Sequence, residues 1–201
     1  KWLEAASYTL ATHPDPTLEA AVDQVIAALG RAQQADGYLN VHFTVVRPDG
    51  RFTDLRDAHE LYCAGHLIEA AVAHQEATGK PDLLDIMTRY ADLIDREMAP
   101  GGRLEGGYCG HPEIELALVR LAHATGDDRY RALAQTMVDQ RGTRPFYFQT
   151  EQDQRGTPGW FGGHFSDRDE QAEKFRQYNQ SHAPVRDQHE ERPDRRLLQA
   201  L

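Results

Sequence analysis

The sequence predicts an all-α fold of antiparallel helix hairpins, roughly three of them, with a short β arm near residues 41–46. Three observations predict it. Apolar residues recur with helical spacing over 17–34, 57–77, 82–98, 111–125 and 127–141, the pattern of helices that each turn one face to a core. The tripeptide Ala77-Thr78-Gly79 returns as Ala124-Thr125-Gly126, 47 residues later. Each copy follows an apolar helix and precedes one that starts polar. Such a helix–turn–helix unit cannot bury its apolar faces alone and must stack on neighbours.

The first hairpin covers 1–34. KWLEAASYTL is followed by ATHPDP as the turn and by TLEAAVDQVIAALGRAQQ, where Leu18, Ala21, Val22, Val25, Ile26 and Leu29 make one face. Thr17 is the expected N-cap of this second helix. VHFTVV (41–46) alternates and is closed by Pro48-Asp49-Gly50, which reads as a strand or extended arm and a turn. The second hairpin, 57–98, breaks at Thr78-Gly79-Lys80-Pro81. Its later helix carries Leu83, Leu84, Ile86, Met87, Tyr90, Leu93 and Ile94 on a broad apolar face. The glycine-rich loop PGGRLEGGYCG (100–110) leads to the third hairpin, 111–141, with Pro112 in its first turn. Residues 142–182 hold Tyr147, Trp160 and Phe161; the stretch 143–171 has no helical period, so a functional or disordered loop is expected there, followed by the approach to a fourth hairpin.

A chain of 201 residues is long enough for one domain with a proper core. Its net charge of −10 argues against a nucleic-acid partner, because phosphate binding needs clustered Lys and Arg. No run of 18 apolar residues exists, so no membrane span is expected. KWLEAASYTL lacks a basic-then-apolar leader, and the absence of an initial Met implies an upstream start. Cys63 and Cys109 are too few for a disulfide framework. A reducing, cytoplasmic setting is the expectation.

The chemistry concentrates in DAHELYCAGHLIEAAVAH (57–74). If the helix begins at 57, then His59, Cys63 and His66 share one face over two turns. That is a zinc-like donor set, but His-Glu-x-x-His would need His at 63, and ligands at i and i+7 lie about 10 Å apart along the axis. The alternative is a polar lining of a helical ring, with Cys63 as a small buried hydrophobe. No metal is expected on this chain. His111 opens the corresponding helix of the next repeat. In a ring of hairpins, equivalent helices start at the same end, so His59 and His111 would meet at one pocket mouth and suit a polyhydroxyl ligand. Glu60, Glu69, Glu113 and Glu115 are candidate carboxylates for glycoside chemistry, with first-turn dipole partnership or a hydrogen-bond network as the plainer reading.

These residues resemble a known family. DGYLN (36–40), LRDAHELYCAGHLIEAAVAHQEATGK (55–80) and GHPEIELALVRLAHATGDDRY (110–130) look like the N-terminal part of the glycoside hydrolase family 127 catalytic domain, the β-L-arabinofuranosidase family. The resemblance covers residues 1 to about 190. It implies part of an (α/α)6 toroid, about three of its six hairpins, with 191–201 a divergent tail. It implies retaining hydrolysis of terminal β-L-arabinofuranosides by a cysteine nucleophile on zinc, the metal being bound by one Glu and three Cys. The histidines matching His59 and His111 contact the sugar, whereas Cys63 and Cys109 do not match the zinc cysteines.

The resemblance breaks off after PVRDQHE, where the family continues with a VGHAVR-like helix and this chain reads ERPDRRLLQAL. The acid/base Glu, the zinc Glu and the nucleophilic Cys lie further on in the family. The expectation is therefore a glycosidase fragment, not active alone, with a carbohydrate ligand and no metal of its own. Open apolar edges of a half ring also predict self-association. The alternative is a non-enzymatic helical-repeat module that binds a sugar or a protein.

Overall fold

The computed structural model describes residues 1–156 together with residues 173, 174 and 177. Within residues 1–156, seven α-helices follow in order: α1 (Trp2–Thr12), α2 (Pro16–Ala32), α3 (Glu60–Thr78), α4 (Asp82–Met98), α5 (Ile114–Thr125), α6 (Asp128–Gln140) and α7 (Tyr147–Arg155). No strand occurs among the described residues. The first six helices form the three expected hairpins in two rows. α1, α3 and α5 pack side by side in one row, α2, α4 and α6 in the other, and each hairpin joins the two rows. This is the layering of an α/α toroid.

The helix ends follow local chemistry. Asp15, not Thr17, caps α2: its carboxylate accepts the N–H groups of Thr17 at 2.8 Å and Leu18 at 3.2 Å, and Pro16 takes the first helical position, where its missing N–H costs nothing. The repeated Ala-Thr-Gly turns are alike in detail. The Thr78 hydroxyl donates to the His74 carbonyl at 2.7 Å and accepts the Lys80 N–H at 3.2 Å. The Thr125 hydroxyl donates to Leu121 at 2.8 Å and accepts from Asp127 at 3.3 Å. Gly79 and Gly126 then leave the helix in the left-handed conformation, at φ 73° and 72°, the ordinary glycine exit.

α3 is the central element. It touches α1, α4 and α5, and its buried residues include Leu61, Ala64, Gly65, Ile68 and the run Ala70–His74. α4 packs against it and buries Leu83, Met87, Tyr90 and Ile94. Gly65 sets the α3–α5 distance. A Cβ there would lie 2.9 Å from the Glu113 side chain and from the Ile114 backbone, so only glycine lets α5 start this close.

Two expectations are corrected. Residues 42–46 form a single π-helical turn, His42–Val46, not a β arm. A lone alternating segment needs a partner strand, and none is present among the described residues. The backbone bonds to itself instead: Thr44 N–H donates to Asn40 O at 3.0 Å and Arg47 N–H to His42 O at 3.0 Å. Phe43 alone turns inward, while Val41, Val45 and Val46 are exposed. The second correction is α7, which lies inside the stretch read as aperiodic. Its buried side is Phe148 and Glu151, so no apolar stripe marks it. Trp160, Phe161 and the 191–201 tail lie outside the described residues.

No helix among the described residues is long and apolar enough to cross a membrane.

Candidate functional site

The site forms where the loop before α3 crosses the loop before α5. Gly110 makes the crossing. Its N–H donates to the Leu55 carbonyl at 3.2 Å, and a Cβ on it would stand 2.0 Å from the Arg56 carbonyl oxygen. Leu55 is held from its other side as well, its N–H donating to Glu151 Oε1 at 2.7 Å. Arg141 steadies the second loop by donating to the Cys109 carbonyl at 2.7 Å and pairing with Glu115 at 3.1 Å. Arg56 and Asp57 form a buried ion pair at 2.7 Å beneath the first.

The crossing brings His59 and His111 face to face. Their rings stack with centroids 4.9 Å apart and planes 27° from parallel. His59 is not a helical residue, as the wheel reading assumed. It caps α3 in the left-handed conformation, φ 60° and ψ 19°, and its Nδ1 bonds the Asp57 carbonyl. A non-glycine residue held there carries strain, and such strain gathers at functional sites.

Three more residues complete the cluster. Tyr62 lies edge-on to His59, His66 and His111, with centroids at 5.6, 4.4 and 5.5 Å. His66 Nδ1 pairs with Glu113 Oε1 at 2.6 Å. Burial lowers the pKa of His66, and the Glu113 carboxylate opposes that shift. Tyr62 has no site role in the sequence, and His66 and Glu113 enter there only as separate candidates, a zinc-type donor and a glycoside carboxylate, not as partners of one another. The i, i+3 and i, i+4 steps from His59 to Tyr62 and from Tyr62 to His66 were the available signal.

The carboxylates do not gather. Glu60 is fully buried, accepts from the Tyr38 hydroxyl and from the Phe52 N–H at 2.8 Å, and is pushed up to about 7 by burial against those lowering bonds. It fastens the 38–52 segment to the start of α3. Glu69 is engaged by Arg120 of α5, and Glu115 by Arg141. Three of the four candidates are thus tied into the scaffold, and Glu113 belongs to His66.

The zinc reading fails on geometry. His66 is turned to Glu113, His59 stacks on His111, and Cys63 is exposed rather than buried as expected, while Cys109 is buried. No group of three or more His, Cys, Asp or Glu among the described residues is placed to hold a metal ion. The donor set of this segment does not fit zinc.

Hairpins stacked in two rows, with a polar histidine cluster at the N-terminal ends of neighbouring helices in one row, define an α/α-toroid segment. A model of the β-L-arabinofuranosidase GH127 catalytic domain matches residues 1–195, and the chain belongs to that family. It is 43% identical over 154 residues to the non-reducing end β-L-arabinofuranosidase of Bifidobacterium longum subsp. longum, a match covering 74% of this chain and 23% of that one. The crystal structure of a GH127 β-L-arabinofuranosidase from Geobacillus stearothermophilus T6 superposes with TM-score 0.76 at 54% identity, over 80% of this chain and 26% of that one. A second solved GH127 β-arabinofuranosidase gives TM-score 0.65 at 40% identity, over 70% and 23%. The chain therefore spans about a quarter of the length of these relatives.

Proposed function

We propose that this chain supplies the histidine wall of a sugar pocket in a glycoside hydrolase acting on terminal β-L-arabinofuranosides, with residues 1–190 as part of the catalytic domain and 191–201 as a separate tail. The observation that carries the reading is the His59–His111 stack. Imidazoles offer both a donor and an acceptor, which a small polyhydroxyl ring requires. The strained backbone of His59 presents its ring at a fixed place instead of leaving it on a mobile side chain.

Binding, not hydrolysis, is the expected property of this chain. A cysteine nucleophile must reach the thiolate form. Burial pushes the Cys109 thiol up to about 12. Desolvation of the Cys63 sulfur by its neighbours, although the residue as a whole is exposed, also raises its pKa, and the nearby Glu60 adds to the rise. Neither suits the role, which the family resemblance assigns instead to a zinc-held cysteine. The test is a titration of the chain with methyl β-L-arabinofuranoside, followed by calorimetry. Saturable binding that is lost in His59→Ala and in His111→Ala supports the reading. No binding, or binding indifferent to both substitutions, overturns it.

A specific observation also favours association with another copy. Trp2, Val25, Leu29 and Val41 line a shallow apolar groove with Ala21 and Ala28. Exposed apolar stripes of this kind promote association. Sedimentation velocity over a hundred-fold range of concentration checks it, and a constant monomer would exclude it. The two free cysteines fit a cytoplasmic setting, which is part of the same proposal.

A further inference from the structure

Tyr62 touches all three histidines of the cluster. Its contacts with His59 and His66 are near perpendicular, at 84° and 87°, and that with His111 is inclined at 62°. Edge-to-face contacts at these separations are attractive and orientation-dependent. Tyr62 is also anchored from below. It sits on the first turns of α3, and its partner His66 is locked by Glu113, which caps the start of α5. A continuous line therefore runs from Glu113 through His66 and Tyr62 to the stacked pair. The line joins the two helices whose preceding loops carry His59 and His111.

We infer that Tyr62 is a positioning residue for the His59–His111 pair: its ring edge, backed by the close His66–Glu113 contact, sets the spacing and tilt of the two imidazoles that face the ligand. The hydroxyl is not what matters in this arrangement, because the contacts are made by the ring. Tyr62→Phe keeps the wedge. Tyr62→Leu fills part of the volume without an aromatic edge and lets the two rings move independently.

The inference rests on the sugar-pocket reading for its consequence in binding, but its geometric content stands separately. The experiment is NMR on the full chain with labelled histidine, in wild type, Tyr62→Phe and Tyr62→Leu, with and without methyl β-L-arabinofuranoside. Nuclear Overhauser contacts from the Tyr62 ring to both His59 and His111 are expected in the wild type, and their absence overturns the inference without any variant. Tyr62→Leu should shift the ring-proton resonances of both histidines and weaken the sugar about tenfold, the equivalent of about 1.4 kcal/mol. Tyr62→Phe should restore resonances and affinity together. Unchanged histidine resonances in Tyr62→Leu, or a Phe variant as impaired as Leu, overturns the role. If the wild type binds no sugar, the pocket reading fails, and the histidine resonances alone still decide what Tyr62 does.

Discussion

The Gly110 N–H donates to the carbonyl of Leu55, and this one backbone bond joins two segments 55 residues apart in the chain. It sits four residues before His59 and one before His111. The pairing of those histidines is therefore a backbone property before it is a side-chain one.

Gly110→Ala tests that dependence. The added methyl would meet the Arg56 carbonyl at 2.0 Å, and backbone cannot rotate aside as a side chain can. The loops must separate. Overpacking of this kind costs about 1–3 kcal/mol, read as a lower midpoint in urea. Because the crossing also sets the histidine stack, sugar affinity should fall in the same variant. A Gly110→Ala chain with wild-type stability would show that the crossing is not held as described.

His59 offers a different comparison. Its left-handed backbone costs an ordinary L-residue about 1–2 kcal/mol relative to glycine. His59→Gly should therefore be more stable than His59→Ala by roughly 1 kcal/mol, measured by denaturant unfolding, although neither variant keeps the imidazole. Equal stabilities would mean that the strain is absent. The reverse order would place residue 59 inside the helix.

The pH dependence has a definite sign at Glu151. Burial pushes its carboxyl from 4.5 up to about 7, and Asp54 adds to the rise. Between those values the folded state holds a proton that the unfolded state has released. The stabilisation is complete below about 4.5 and is lost as pH rises through about 7. Glu151→Gln keeps an acceptor for the Leu55 N–H and removes the titration. Its stability relative to wild type should thus increase from pH 5 to pH 7.5, by on the order of 1–3 kcal/mol. Thermal melts of both proteins at the two pH values measure it, and a parallel pH profile would contradict it. Burial lowers the pKa of His74. That group acts in the opposite direction, its contribution being complete above about 6.5 and lost as the pH falls. The difference between variant and wild type removes it from the comparison.

Much of the scaffold was legible because its signals are local. α4 was readable at both ends, since Leu83, Ile86, Met87, Tyr90 and Ile94 form one face and Pro81 stands just before it. The Ala-Thr-Gly turns advertised the repeat, and the structure shows the same hydroxyl bonds in both copies. What was not legible depends on distant partners. DAHE looks helical, yet His59 is held off the helix with its Nδ1 on the Asp57 carbonyl. VHFTVV looks like a strand, but only Phe43 finds a core. α7 is fixed by a carboxylate reaching Leu55, which no periodicity reveals. The matching helix-end positions of His59 and His111 could be read from the repeat. Their stacking depended on a crossing between remote loops, and Tyr62 became visible only with it.

The position of α3 between α1, α4 and α5 has a consequence for how the molecule opens. Amides in the middle of α3 can meet solvent only when neighbouring helices come away, whereas α2 buries only Val22 and Ile26 and can detach by itself. Hydrogen exchange should accordingly be slowest around Ala70–Ala73 and much faster along α2. The histidine wall would then rest on the last part of the chain to let go of its protons, while α2 breathes at the periphery.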